Sequence, residues 1–319
     1  MPYLNILQNV LYCQPGENLL ILTDSKRKSF AEKFASAAQM IGCCTRTIVL
    51  PVKTGSTIPE FIMSLLDDQD VLLTVFSHEG SQILQTEKFF PSFQRPKGFN
   101  GRSASVNRRI NQHILEEMFE IDYSLLEEFV DSFLETYQDA PYLQITANGG
   151  TDLIVKPREF KALPFVVTPN TNHAYLPASE IFTTIDEDIS FGRVIIDLTI
   201  GEFVVKGEQW EKFGLVSKPV TLEVEKGRVT SISGDGPEAE KLSTLLDKVG
   251  ASSRVVGEIG IGLNSGTEAC GFIAVDECLM DTAHFGLGGN IGYGGTNDSL
   301  VHLDCVFKNP KFTILKDIS

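Results

Sequence analysis

The strongest constraint on the fold is a change of rhythm near residue 140. Before it, apolar strand-sized runs alternate with helical ones. Asn18–Thr23, Arg46–Leu50 and Asp70–Phe76 read as strands, with helices over Ser29–Met40 and Thr57–Leu66 between them. Phe30, Phe34 and Ala37 or Ala38 fall on one helical face, and Gly42 is placed to end that helix. Such β-α-β-α-β alternation predicts a doubly wound parallel sheet. Ser124–Tyr137 predicts a further helix, broken by Asp139-Ala140-Pro141. Glu79–Ser105 reads as a long loop, or as a stretch hiding an element.

After the break, strands dominate. They are expected over Tyr142–Ala147, Thr151–Val155, Phe165–Val167, Ile195–Ile200, Val220–Glu225, Arg228–Gly234, Val255–Gly260 and Val301–Phe307, with one helix over Pro237–Val249. Glu225-Lys226-Gly227-Arg228 predicts a hairpin turn. Gly286–Gly295 reads as a glycine-rich loop lining a pocket. The expected architecture is an α/β domain over 1–140 and a mixed α+β metal-binding domain over 141–319.

Charge narrows the function. Lys and Arg total 27 against 42 Asp and Glu, a formal net charge of −15. Such a chain repels phosphate backbones, so no nucleic acid is expected as partner, and a carboxylate surplus suits cations. No apolar run is long enough for a bilayer, and Met1–Gln14 lacks the basic start of a secretory signal, so the expected location is cytoplasmic, with no membrane partner. The six cysteines form no C-x-x-C pair; Cys305, beside Asp304, is a possible ligand or a packed hydrophobe.

The chemistry-bearing residues cluster late in the chain. His302 and Asp304 stand two apart in a predicted strand, so imidazole and carboxylate share a face while Leu303 and Cys305 take the other. Glu258 sits in Val255–Gly262, apolar and glycine-rich. An acid there is paired, bound to a cation, or at a strand end facing water. His284 opens the glycine-rich stretch, which lacks both the Walker pattern and the dinucleotide fingerprint. Glu180 follows Ser179 and by itself fits a surface acid. Together two histidines and three carboxylates match the ligand set of a hydrolytic two-metal site, with one or two divalent ions expected. Asp276 and Glu277 are candidates to orient the His284 ring, or belong to a solvated turn. His78 ends the third strand, where α/β sheets present ligands; His113 and His173 show no evident partners.

The stretches Gly150–Leu153, Leu176–Phe182, Gly257–Gly262, Thr282–Gly288 and Val301–Asp304 resemble, in order and spacing, the aminopeptidase T family of metallopeptidases. The resemblance implies Glu180, Glu258, His284, His302 and Asp304 as ligands of zinc or cobalt, Tyr293 as a catalytic residue, a peptide substrate and a homodimer. It makes the chain a short member of that family, a hydrolase removing N-terminal residues. The C-terminal half is also similar to iron-dependent 2,5-dihydroxypyridine dioxygenases, which share the counterparts of His302 and Asp304 but place a histidine where this chain has Glu258, so that Glu258 and the extra His284 argue against that chemistry. A non-catalytic relative of the fold is the third alternative.

Overall fold

The computed structural model describes residues 1–51, 59–81, 89–90 and 95–318. The chain divides into two compact units. One is Met1–Leu125 with Leu163–Ser179, the other Leu126–Ala162 with Glu180–Ser319, so residues from both sides of position 140 build each.

The first unit carries a five-stranded sheet ordered His173–Leu176, Arg102–Val106, Val71–Val75, Asn18–Asp24, Cys44–Leu50. All four pairings are parallel. Parallel sheets are buried on both faces, and the runs Leu19–Leu22 and Val71–Leu73 are wholly buried, as their unbroken hydrophobicity predicts. The helix Lys28–Ile41 buries Phe30, Ala31, Phe34, Ala37 and Ala38, and Gly42 terminates it at φ +97°, donating to the carbonyls of Ala38 and Gln39. The expected start at Thr57 lies outside the described residues, which show helix over Glu60–Leu66. The stretch expected as loop hides an element, the strand Arg102–Val106.

The second unit contains two antiparallel sheets. The first has seven strands, ordered Glu208–Leu215, Thr199–Val205, His302–Lys308, Thr282–Gly288, Val256–Gly262, Glu180–Thr184, Lys161–Ala162. The second has six, ordered Arg228–Ser233, Val220–Glu225, Phe191–Ile196, Asp152–Val155, Tyr142–Ala147, Pro310–Leu315. Parallel strands in one unit and antiparallel strands in the other make a mixed α/β fold.

Three expectations need correction here. Ile195–Ile200 is not one strand: Ile196 ends a strand of the six-stranded sheet and Thr199 begins one of the seven-stranded sheet. Asp197, at that corner, accepts a hydrogen bond from the Lys308 amide at 2.9 Å. Phe165–Val167 is buried but forms no strand; Val167 N–H donates to the Val10 carbonyl. The glycine-rich stretch is not all loop, because Thr282–Gly288 is a fully buried strand.

The hairpin forms where expected. Lys226 and Gly227 take φ +49° and +69°, the paired left-handed residues of a type I′ turn. A Cβ on Gly227 would also overlap the Glu187 carbonyl. Gly227→Ala is therefore expected to destabilise the protein by about 3 kcal/mol. Urea denaturation measures this, and a loss under about 0.5 kcal/mol would show that the turn relaxes freely.

Candidate metal centre

The centre is built on one face of the seven-stranded sheet. Side chains two apart on a strand share a face, and paired residues on neighbouring strands do too. The register pairs Thr184 with Glu258, Glu258 with Gly286, and Gly286 with Asp304. It also pairs Glu180 with Gly262, Phe182 with Gly260, Gly260 with His284, and Gly288 with His302. Glu180, Glu258, His284, His302 and Asp304 thus all rise from the same face. On the other face Ile259, Phe285, Leu303, Cys305 and Phe307 are buried, and Phe285 stacks on Phe307. Cys305 belongs to this apolar layer, opposite the ligands.

Glycines alternate with these candidate ligands and make their convergence possible. Residues across a sheet are too widely spaced for two side chains to meet unless the position between them is empty. His284 leans over Gly260 to bring Nε2 within 3.1 Å of Glu180 Oε2. A Cβ on Gly260 would overlap the His284 ring and lie 2.8 Å from Glu180 Oε2. His302 Nε2 lies 3.2 Å from Glu258 Oε2 and 3.1 Å from Asp304 Oδ1. A Cβ on Gly286 would sit 2.8 Å from His302 Cε1 and 3.1 Å from Glu258 Oε2.

The donors form two groups that share Glu258: Glu180, Glu258 and His284, and Glu258, His302 and Asp304. Within each, one nitrogen or oxygen per residue lies within 4.8 Å of the others. Glu258 and His284 are each only 2% exposed. Glu180 Oε2, Glu258 Oε2 and Asp304 Oδ1 are buried with an imidazole nitrogen 3.1–3.2 Å away but no well-aligned hydrogen bond, and His284 Nδ1 is buried without a partner. Buried polar atoms are normally satisfied, and clustered carboxylates out of water are costly. A divalent cation resolves both problems, so the residues fit a metal ion.

Electrostatics point the same way. Burial, together with Asp304 and Glu180, pushes the Glu258 carboxyl above its ordinary range. Burial would also raise Asp304, but His302 outweighs it and holds Asp304 low. Burial opposes charge on His302, yet Asp304 and Glu258 push it up to about 12. His284 is likewise pushed up to about 10 against its burial, by Glu180 and then Asp304. With no cation, the charge balance falls to protons on the imidazoles. The shared atom positions suit exchange of those protons for a metal.

His302 is oriented by its other nitrogen. Nδ1 faces the Gly289 carbonyl at 2.7 Å and donates to it, which turns Nε2 toward the carboxylates. Tyr293 stacks on the His302 ring at 5.1 Å and meets Phe182 edge-on at 5.7 Å. Tyr293 is 38% exposed overall, yet desolvation of its phenol and the charges of Glu258, Asp304 and Glu180 push it upward, so it keeps its proton. Asp276 is spent elsewhere: it accepts from Thr199 Oγ1 and from the amides of Cys270 and Gly271. The charge of Glu277 contributes to raising His284. His173 is buried between the hydroxyls of Ser103 and Ser105, His113 lies 3.6 Å from Glu117, and His78 is exposed, so none joins the centre.

The glycines flanking Glu258 invite a close approach on sequence alone, but the specific parts of Gly260, Gly286, Phe182 and the Gly289 carbonyl emerge only in the structure. The first two carried a usable signal, since they fall at the same parity as the ligands on their strands.

A family model described as NicX, 2,5-dihydroxypyridine 5,6-dioxygenase, matches residues 109–315. The chain belongs to this family. Among solved structures, a 2,5-dihydroxypyridine dioxygenase of Pseudomonas putida KT2440 is similar with a TM-score of 0.62 and 17% identity, covering 98% of this chain and 92% of that one. AmpT of Thermus thermophilus is similar with a TM-score of 0.51, also at 17% identity, covering 95% of this chain and 91% of that one. At such identities the two structures share the fold. No curated protein matches the sequence.

Family membership overturns the aminopeptidase expectation. The hydrolase class falls with it, as do the peptide substrate and the grounds for a homodimer. Zinc and cobalt gain no support, while two groups that could hold a metal ion remain. Among the described residues, no helix is long and apolar enough to cross a membrane.

The glycine spacing gives a direct test. Gly286→Ala, which crowds His302 and Glu258, is expected to weaken Mn(II) or Fe(II) binding by about 100-fold while leaving the circular dichroism spectrum unchanged. Calorimetric titration reads the affinity, and unaltered binding would show that the crowding has no bearing on metal.

Proposed function

We propose that the chain is a metal-dependent ring-cleaving dioxygenase acting on a dihydroxylated pyridine or a similarly electron-rich ring. The observation that carries this reading is the convergence of Glu258, His302 and Asp304 on one point, in a chain that belongs to the 2,5-dihydroxypyridine dioxygenase family.

Glu258, His302 and Asp304 would hold the ion, with Glu180 and His284 beside them. A bound ferrous ion would supply the one-electron chemistry that lets dioxygen react with an aromatic ring. The donor set departs from a two-histidine, one-carboxylate triad, because each group pairs a single imidazole with two carboxylates. Oxygen-rich donors with one imidazole suit Fe(II) or Mn(II).

The chain's own groups cover the remaining tasks. The Gly289 carbonyl fixes the His302 tautomer. Tyr293, with its proton retained, can donate a hydrogen bond to an anionic ring oxygen near the centre. The His284–Glu180 pair can hold the proton that a ring hydroxyl releases. Phe182 and Tyr293 form an apolar, aromatic flank suited to a flat ring.

All of these residues belong to the second unit, which we read as the catalytic domain. In chain order the parallel strands of the first unit run 2-1-3-4-5 across the sheet, which supports a doubly wound arrangement there.

Oxygen uptake tests the proposal. Protein loaded anaerobically with Fe(II) should consume one dioxygen per 2,5-dihydroxypyridine, with loss of the ring's ultraviolet band. His302→Ala should retain its fold and lose about 100-fold or more of both iron affinity and rate. Iron-loaded protein that takes up no oxygen with any mono- or dihydroxylated pyridine would overturn the reading.

A further inference from the structure

The loop after the Thr282–Gly288 strand delivers two things to the centre, the Gly289 carbonyl that receives His302 Nδ1 and the Tyr293 ring that stacks on His302. A glycine-rich loop has no intrinsic reason to hold either in place. Asn297 ties its far end to the Ser252 and Gly288 carbonyls, and one carboxylate gathers its middle. Glu187 Oε1 accepts from the Asn290 side-chain amide at 2.9 Å, from the Thr296 amide at 2.8 Å and from the Thr296 hydroxyl at 3.2 Å. Glu187 Oε2 pairs with Arg158 Nη2 at 2.9 Å, and Arg158 Nη1 reaches the Gly294 carbonyl at 3.3 Å.

The anchor continues inward. Asn290, 1% exposed, also donates to the Gly257 carbonyl, beside Glu258, and its own Oδ1 accepts from the Asn297 amide. The Glu187 side chain is only 12% exposed, so these bonds are largely shielded from water. The residue follows the strand Glu180–Thr184 that bears Glu180, and so ties the loop to a ligand strand. The negative charge is spent on the loop, because Glu187 belongs to neither donor group.

We propose that Glu187 is a positioning residue of the centre, which sets Tyr293 over His302 and thereby shapes the face that receives the ring. The role rests on reading the centre as a binder of hydroxylated rings. Glu187 touches no ligand atom of its own; its effect runs through the Asn290–Thr296 loop and Tyr293.

A double-mutant cycle tests this, with 4-nitrocatechol as a chromophoric ring probe on the Mn(II)-loaded full-length protein and calorimetry for Mn(II) itself. Glu187→Ala should weaken 4-nitrocatechol about 10-fold, change Mn(II) affinity less than about 3-fold, and speed amide exchange at Thr296 and Asn297. Tyr293→Leu should weaken the probe to a similar degree, and adding Glu187→Ala to it should change the probe affinity less than about 2-fold. Glu187→Gln, which keeps an acceptor for Asn290 and Thr296, should recover most of the affinity. Additive effects of the two substitutions, or unchanged amide exchange in Glu187→Ala, would overturn the proposal. Wild-type protein that binds Mn(II) but no 4-nitrocatechol would count against the ring-binding reading, while the amide exchange would still report on the anchor.

Discussion

Five ionisable side chains on one sheet face, largely removed from water, set the terms for the rest of this unit. Like-charged carboxylates cannot share a dry site without a compensating charge, and a proton or a metal must supply it. The sheet holds the donors rigidly, because each sits on a buried strand whose opposite face is apolar core. Rigid placement keeps the donors together at a separation that a loop could not enforce. The two groups meet at Glu258, whose strand lies between those of Glu180 and His284.

The glycines are the structural counterpart of that charge. On a pleated sheet the Cβ atoms of paired residues stand about 5 Å apart, and side chains two strands apart need an empty position between them. Gly260 and Gly286 provide it, which is why glycine recurs at the ligands' own parity within strands that would otherwise gain from larger residues. The same economy extends to the loop, where Gly289 gives a carbonyl to His302 and the following residues are held by Glu187 and Asn290. Packing, backbone and electrostatics therefore converge on the orientation of a single imidazole.

Much of this was legible in the residues and some was not. Element types followed from local pattern: the Lys28–Ile41 helix, its Gly42 cap and the Lys226-Gly227 turn each carry their cause within a few residues. The pairing of His302 with Asp304 followed from strand parity. The strand Thr282–Gly288 did not, because glycine lowers strand propensity and the reason for glycine there lies on neighbouring strands. Ile195–Ile200 hid a crossing between sheets, since its apolar run gives no sign that Asp197 turns the corner. The donor set misled on reaction class: Glu258 stands where the dioxygenases place a histidine, which favoured hydrolysis, and the family match overturned that reading.

The account stands on an ion held at Glu258, His302 and Asp304. Anomalous diffraction at the metal edge, from crystals grown with Fe(II) or Mn(II), locates such an ion directly. A single dominant peak within bonding distance of His302 Nε2 and of oxygens from Glu258 and Asp304 is the predicted result. No peak at saturating metal, with His302 Nε2 still against the two carboxylates, would show that the site balances its charge with protons alone.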